Sequence, residues 1–93
     1  MTFTKQMRNK ILRICRHFGS YAQKEKAIEE LNELADAVKL ESVGRDNREH
    51  VLEEMSDVYI MLEQLKKIYH ITNNELLKMC DYKIQRTIRR IGK

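Results

Sequence analysis

Two acidic cassettes are the groups in this chain that could do chemistry: Glu29-Glu30-Leu31-Asn32-Glu33-Leu34 and Glu53-Glu54-Met55-Ser56-Asp57-Val58. In each, a pair of acids is followed by a third acid and then an apolar residue. On a helix, residues three apart share one side. Two such helices laid together would aim Glu30, Glu33, Glu54 and Asp57 at a single point. Hard divalent cations take oxygen ligands of this kind, and a carboxylate-held Mg²⁺ usually handles phosphates.

Helical rotation sharpens that expectation. Glu30 falls on the border of an apolar face formed by Ala27, Leu31 and Leu34, with Glu33 about 60° to the other side, and small Ala37 beside them leaves room for a ligand. Glu54 repeats the arrangement with Val51, Val58 and Leu62 on its inner side and Asp57 about 60° away. A charge at such a border is expensive without a counterion. Without a metal, repulsion and desolvation should raise the pKa of at least one of the four. One ExxE motif alone reads most simply as a solvated helix face. Here Glu29 has Glu25 and Glu33 four residues away on either side, a repulsive arrangement, and two motifs border two apolar stripes. Glu29 and Glu53 point away from the core, so for each a solvated role stands level with support of a ligand or water.

The elements that must position these acids are helices. The chain has 93 residues, no Pro, no Trp and only Gly19, Gly44 and Gly92, so almost nothing punctuates strands. Thr4, or Thr2, opens a first helix carrying Met7, Ile11, Leu12, Ile14, Cys15 and Phe18, and Gly19 ends it. Ser20 with Gln23 forms a capping box for a second helix running to about Leu40. The stretch 41–45 is a short connection. Asp46 with Glu49 caps a third helix that stops near His70. Thr72 with Glu75 starts a fourth, in which Leu77, Cys80, Ile84, Ile88 and Ile91 recur at spacings of three and four. The expected fold is all-α, an up-and-down bundle of about four helices in one domain over 1–93. A chain this short buries only about 60–65% of its extended surface, so a homodimer or homotetramer is expected to complete the core.

The formal charge is +4. Basic residues without acids occupy both ends, Lys5, Arg8, Lys10, Arg13 and Arg16 in 1–17 and Lys83, Arg86, Arg89, Arg90 and Lys93 in 83–93. Nucleic acid would explain them, and so would a phosphate-bearing small substrate. Cys15 and Cys80 form no ligand-spaced cluster and read as buried or half-buried thiols of a reducing compartment. There is no apolar run of membrane-spanning length and no signal-peptide core, so the cytoplasm is the expected location and no membrane partner is expected. His17, His50 and His70 lack ligand spacing. His50 stands one turn before Glu54 and reads as helix surface. Tyr21, Tyr59, Tyr82 and Phe18 could stack on a base, although ordinary packing accounts for each.

Glu-Glu-x-x-Glu-Leu followed by Glu-Glu-x-x-Asp-Val resembles the all-α nucleoside triphosphate pyrophosphohydrolases, the MazG-like group that includes dimeric dUTPases and phosphoribosyl-ATP pyrophosphohydrolase. The resemblance covers roughly residues 20–90. It implies Mg²⁺-dependent cleavage, with Mn²⁺ as a substitute, of the α–β phosphoanhydride of a nucleoside triphosphate to a monophosphate and pyrophosphate. It makes Glu30, Glu33, Glu54 and Asp57 the metal ligands and catalytic acids; Glu33, the further toward solvent of the two on its helix, is the candidate for orienting the attacking water. Asp81-Tyr82-Lys83 looks like the family's Asn/Asp-x-Lys segment. By that match Lys83 is the first choice for binding substrate phosphate, with Arg86 and Arg90 as further candidates. Many relatives carry an amide where this chain has Asp81, and a carboxylate there cannot donate to phosphate. Nucleic acid is not the expected partner on this reading. The rival is a small basic helical module that binds nucleic acid or protein without catalysis.

Overall fold

The computed structural model describes residues 3–42 and 47–92. They form α1 (Lys5–Phe18), α2 (Ser20–Ser42), α3 (Arg48–Ile68) and α4 (Asn73–Ile91). The chain is an all-α bundle of four helices in up-and-down order.

Local chemistry sets most of the boundaries. Thr4 Oγ1 accepts from the Met7 amide and Thr72 Oγ1 from the Glu75 amide, both at 3.1 Å, which satisfies a free donor at each helix start. Gly19, at φ 88°, ends α1 with its amide donating to the Cys15 carbonyl, and its own carbonyl accepts from the Gln23 amide. Because glycine adopts that backbone freely, a single residue links α1 to α2. Ser20 is therefore the first helical residue of α2 and not its cap, which displaces the expected Ser20–Gln23 box. The expected connection at 41–45 overlaps the end of α2, which reaches Ser42; Gly44 and the cap expected at Asp46 lie outside the described residues. Asn47 stands at the cap position of α3 without capping it. Its Nδ2 instead donates to the Ala37 carbonyl at 2.9 Å.

The turn after α3 is a Schellman motif built on histidine. The Ile71 amide donates to the Lys66 carbonyl and the His70 amide to that of Lys67, with His70 at φ 56°.

The α2–α3 hairpin is pinned at both ends. Asn47 bonds Ala37 at one, and Lys24 Nζ lies 4.9 Å from the Tyr69 ring centroid at the other, so the two helices are antiparallel. α1 packs on one side of this pair. Among the described residues the buried apolar ones are Ile11, Cys15, Ala27, Ala37, Val58 and Met61. Small alanines on α2 let α3 approach closely, but so few large side chains make a thin core.

Much of the expected apolar patterning stays in solvent. Ile28, Leu31 and Val38 of α2 and Leu52, Met55, Tyr59 and Leu62 of α3 are all exposed. Leu31 and Met55 each lie about 100° from the inward acid of their own helix, in the same rotational sense. In an antiparallel pair these two stripes therefore share one face, the one away from Glu33 and Asp57. α4 buries no residue at all, and Cys80, expected to be at least half-buried, is exposed. The radius of gyration is 15.7 Å, against about 12 Å for a compact chain of this length, as a helix that packs on little else requires. Among the described residues, no helix is long and apolar enough to cross a membrane.

Candidate metal centre

Antiparallel pairing of α2 with α3 carries the two acidic cassettes past each other near the middle of the hairpin. Carboxylate oxygens of Glu30, Glu54 and Asp57 lie within 4.8 Å of one another, and those of Glu29, Glu30 and Glu33 form a second such group. Glu30 belongs to both. The four acids singled out in the sequence thus stand together, with Glu29 added at the rim.

Burial divides them by role. Glu30 is 5% exposed and Glu54 8%, while Glu29, Glu33 and Asp57 are open to solvent. With the carboxylates ionised, Glu30 Oε2 and Glu54 Oε2 are buried without a hydrogen-bond partner. Buried carboxylate oxygens left unmatched cost stability unless something positive meets them. That pair of atoms, aimed from two helices into one cluster, fits a hard cation such as Mg²⁺, which takes oxygen ligands.

Crowding raises the proton affinity of the outer acids. Glu33 is pushed above the ordinary carboxylate range chiefly by the negative charge of Glu30, then by desolvation and by a proton it can share with Glu54. Asp57 is pushed up first by desolvation against the neighbouring helix surface and then by a proton it can share with Glu30 and by that residue's charge. The pairing is diagonal: Glu33 meets Glu54 across the hairpin, and Asp57 meets Glu30.

One cation already reaches the cluster. Lys26 Nζ lies 3.1 Å from Glu30 Oε1 and 3.7 Å from Glu29, and its pKa is raised, first by the hydrogen bond to Glu30 and then by the charges of Glu29 and Glu30. Lys26 is absent from the sequence reading, although its spacing of four from Glu30 is the signal that points to it. It satisfies Glu30 Oε1 and leaves Oε2 unmatched. His50 Nδ1 stands 4.0 Å from Glu54 Oε1, too far for a hydrogen bond.

The cluster opens onto a cleft of about 400 Å³ between α1 and the hairpin, lined on the acid side by Glu30, Asp57 and Lys26. Lys83, Arg86 and Arg90 do not line it. They ride on α4, where the Arg86 guanidinium sits 5.7 Å from the Tyr82 ring centroid, and among the described residues no ion pair joins them to the acids. Buried Gln23 and Gln64 also line the cleft. The sequence marks Gln23 only as a capping partner of Ser20 and Gln64 not at all, because an uncharged polar residue inside a helix resembles surface.

Comparison with protein-family models, with curated proteins and with solved structures found no match.

Proposed function

We propose that this chain is a Mg²⁺-dependent nucleoside triphosphate pyrophosphohydrolase of the MazG-like type, cleaving between the α and β phosphates. The single observation that carries this reading is the convergence of Glu30, Glu54 and Asp57 from two helices with two buried oxygens left unmatched. A solvated acidic face would have its oxygens in water. Glu30, Glu33, Glu54 and Asp57 would hold the cation. When bound, Mg²⁺ supplies positive charge to the phosphoryl oxygens and makes water a competent nucleophile near neutral pH.

The chain's own residues then have separate tasks. Glu30 and Glu54, fixed by burial, set the position of the site. Glu33 is exposed at the rim and is the acid placed to orient a water molecule for in-line attack. Lys26 holds a positive charge between the carboxylates and the cleft, where it can meet a phosphate oxygen once the substrate enters. Lys83, Arg86 and Arg90 would add phosphate contacts from α4, and a homo-oligomer, dimer or tetramer, would bring that helix to its working position.

Pyrophosphate release from a panel of canonical and damaged nucleoside triphosphates with Mg²⁺, phosphoribosyl-ATP included, tests the reading. Turnover of at least one member, lost in Glu54→Gln, is the expected result. No turnover, a melting temperature unmoved by Mg²⁺ or Mn²⁺, and steeply salt-dependent binding of duplex DNA would instead identify a basic helical binding module.

A further inference from the structure

Two turns along the cleft from the acids lies a second polar layer that the phosphate chemistry does not use. Gln23 precedes Glu30 on α2 by seven residues, and Gln64 follows Asp57 on α3 by seven. Seven residues return a helix to nearly the same face about 10 Å further on. Because the helices are antiparallel, both glutamines arrive at the same level and line the same cleft. Phe18, Ile60 and Met61 supply apolar wall around them.

Gln64 is the informative one. It is 1% exposed, and its Oε1 is buried with no hydrogen-bond partner. A leucine or methionine would fill the volume without leaving a polar atom unmatched, and buried polar groups are otherwise paired as a rule. A carboxamide offers one acceptor and two donors side by side, which matches the amide or amidine edge of a nucleobase. The cleft thus runs from an acidic end at Glu30 and Asp57 to an apolar end with a hydrogen-bonding edge, the two about 10 Å apart along the helices.

We infer that this end of the cleft is a nucleobase pocket and that the Gln64 carboxamide reads the base's donor–acceptor edge, with Gln23 beside it and Phe18 available to stack on the ring. The inference rests on the nucleotide reading above and names the part of the substrate that reading leaves open.

Its test uses ligands without phosphate and buffer without metal. Adenosine, guanosine, cytidine, uridine and thymidine are titrated into the 93-residue chain, and the Gln64 side-chain amide and the Ile60 and Met61 backbone amides are followed by ¹⁵N NMR. The expected result is that one nucleoside shifts all three signals. Gln64→Leu should weaken that nucleoside about 10–100-fold, as loss of a two-point hydrogen bond does, and Gln64→Glu should change which nucleoside is preferred. Gln64→Met serves as a second variant should Gln64→Leu unfold. The inference is overturned if no nucleoside moves the Gln64 signal, or if binding is the same without its carboxamide. Either failure leaves the Mg²⁺-dependent melting shift and pyrophosphate release standing, and loss of those two leaves the nucleoside titration standing, so the two readings fail separately.

Discussion

Glu54 sits almost wholly out of water with one oxygen unmatched and the Glu30 and Asp57 carboxylates close by, so its charge is the most sensitive probe of a bound cation. Mg²⁺ at about ten times its dissociation constant stabilises a folded site by about 1.4 kcal/mol, which in a chain of this length raises Tm by about 5–10 °C. Glu54→Gln should abolish that rise while leaving the metal-free protein at least as stable, because one member of a repulsive cluster is neutralised. Pyrophosphate release should fall about 100-fold or more, in line with the loss of a charge-stabilising group at an active site. Differential scanning fluorimetry with EDTA and with Mg²⁺ reads the first two outcomes. The pH dependence has a definite sign. Glu33 and Asp57 bind their protons more tightly folded than unfolded, so their contribution to stability is complete below the ordinary carboxylate range and is lost as pH rises through the raised values. Metal-free Tm should therefore contain a component that falls as pH rises above the ordinary carboxylate range and is missing from the Glu33→Gln/Asp57→Asn double variant. Mg²⁺ affinity should climb across the same window, since ligands must shed protons to bind. The four acids were legible in the sequence because their spacing and their place beside an apolar stripe are both properties of single helices. Gln23 and Gln64 were not legible as site residues, because what distinguishes them is the company they keep across the hairpin, whereas Lys26 carries a local signal in its spacing of four from Glu30.

Helix ends were legible for a similar reason. Thr4, Gly19 and Thr72 act on backbone atoms a few residues away, so no tertiary knowledge is needed to place them. Burial was not legible to the same degree. The periodic apolar residues of α4 form a face, yet α4 buries none of them, because periodicity says that a helix has an apolar side and not what lies against it. Most helical stability comes from packing an apolar face, so α4 in an isolated chain should be the least protected element. Amide hydrogen exchange at low protein concentration should find α4 faster than the paired centres of α2 and α3 by orders of magnitude. Thr72→Ala removes its only side-chain cap and should cost about 1 kcal/mol, read as still faster exchange confined to α4. The junction before it responds in the opposite direction. His70 holds a left-handed backbone in the Schellman turn, and His70→Gly relieves that conformation, so urea denaturation should show a gain of up to about 1 kcal/mol.

On the scale of the whole molecule, two large apolar surfaces lack cover among the described residues. One is the α2–α3 face bearing Leu31, Val38, Met55, Tyr59 and Leu62, and the other is α4. Single apolar residues at a surface are ordinary, but a contiguous patch beyond a few hundred Å² marks an interaction site. Side chains of this size, each roughly half exposed along two helices, offer on the order of 500 Å² per chain on the hairpin face alone, and the rim around them would bring the contact toward the about 800 Å² per partner typical of stable association. We propose a second copy as the occupant. The face is nearly two-fold in its own pattern, with α2 and α3 contributing equivalent stripes, which suits an isologous contact, and it lies opposite the acids, so association leaves the cleft open. Sedimentation equilibrium should give about twice the chain mass of 11.2 kDa at micromolar concentration. Leu31→Glu combined with Leu62→Glu should return it to the monomer mass with helical circular dichroism retained. Because the acidic cluster and the Gln64 layer lie within one chain, the double variant should keep its Mg²⁺-induced melting shift, while any phosphate contact from a partner's α4 would be lost with the dimer and appear as a higher KM. A chain that stays monomeric at millimolar concentration would assign both apolar faces to a different protein partner.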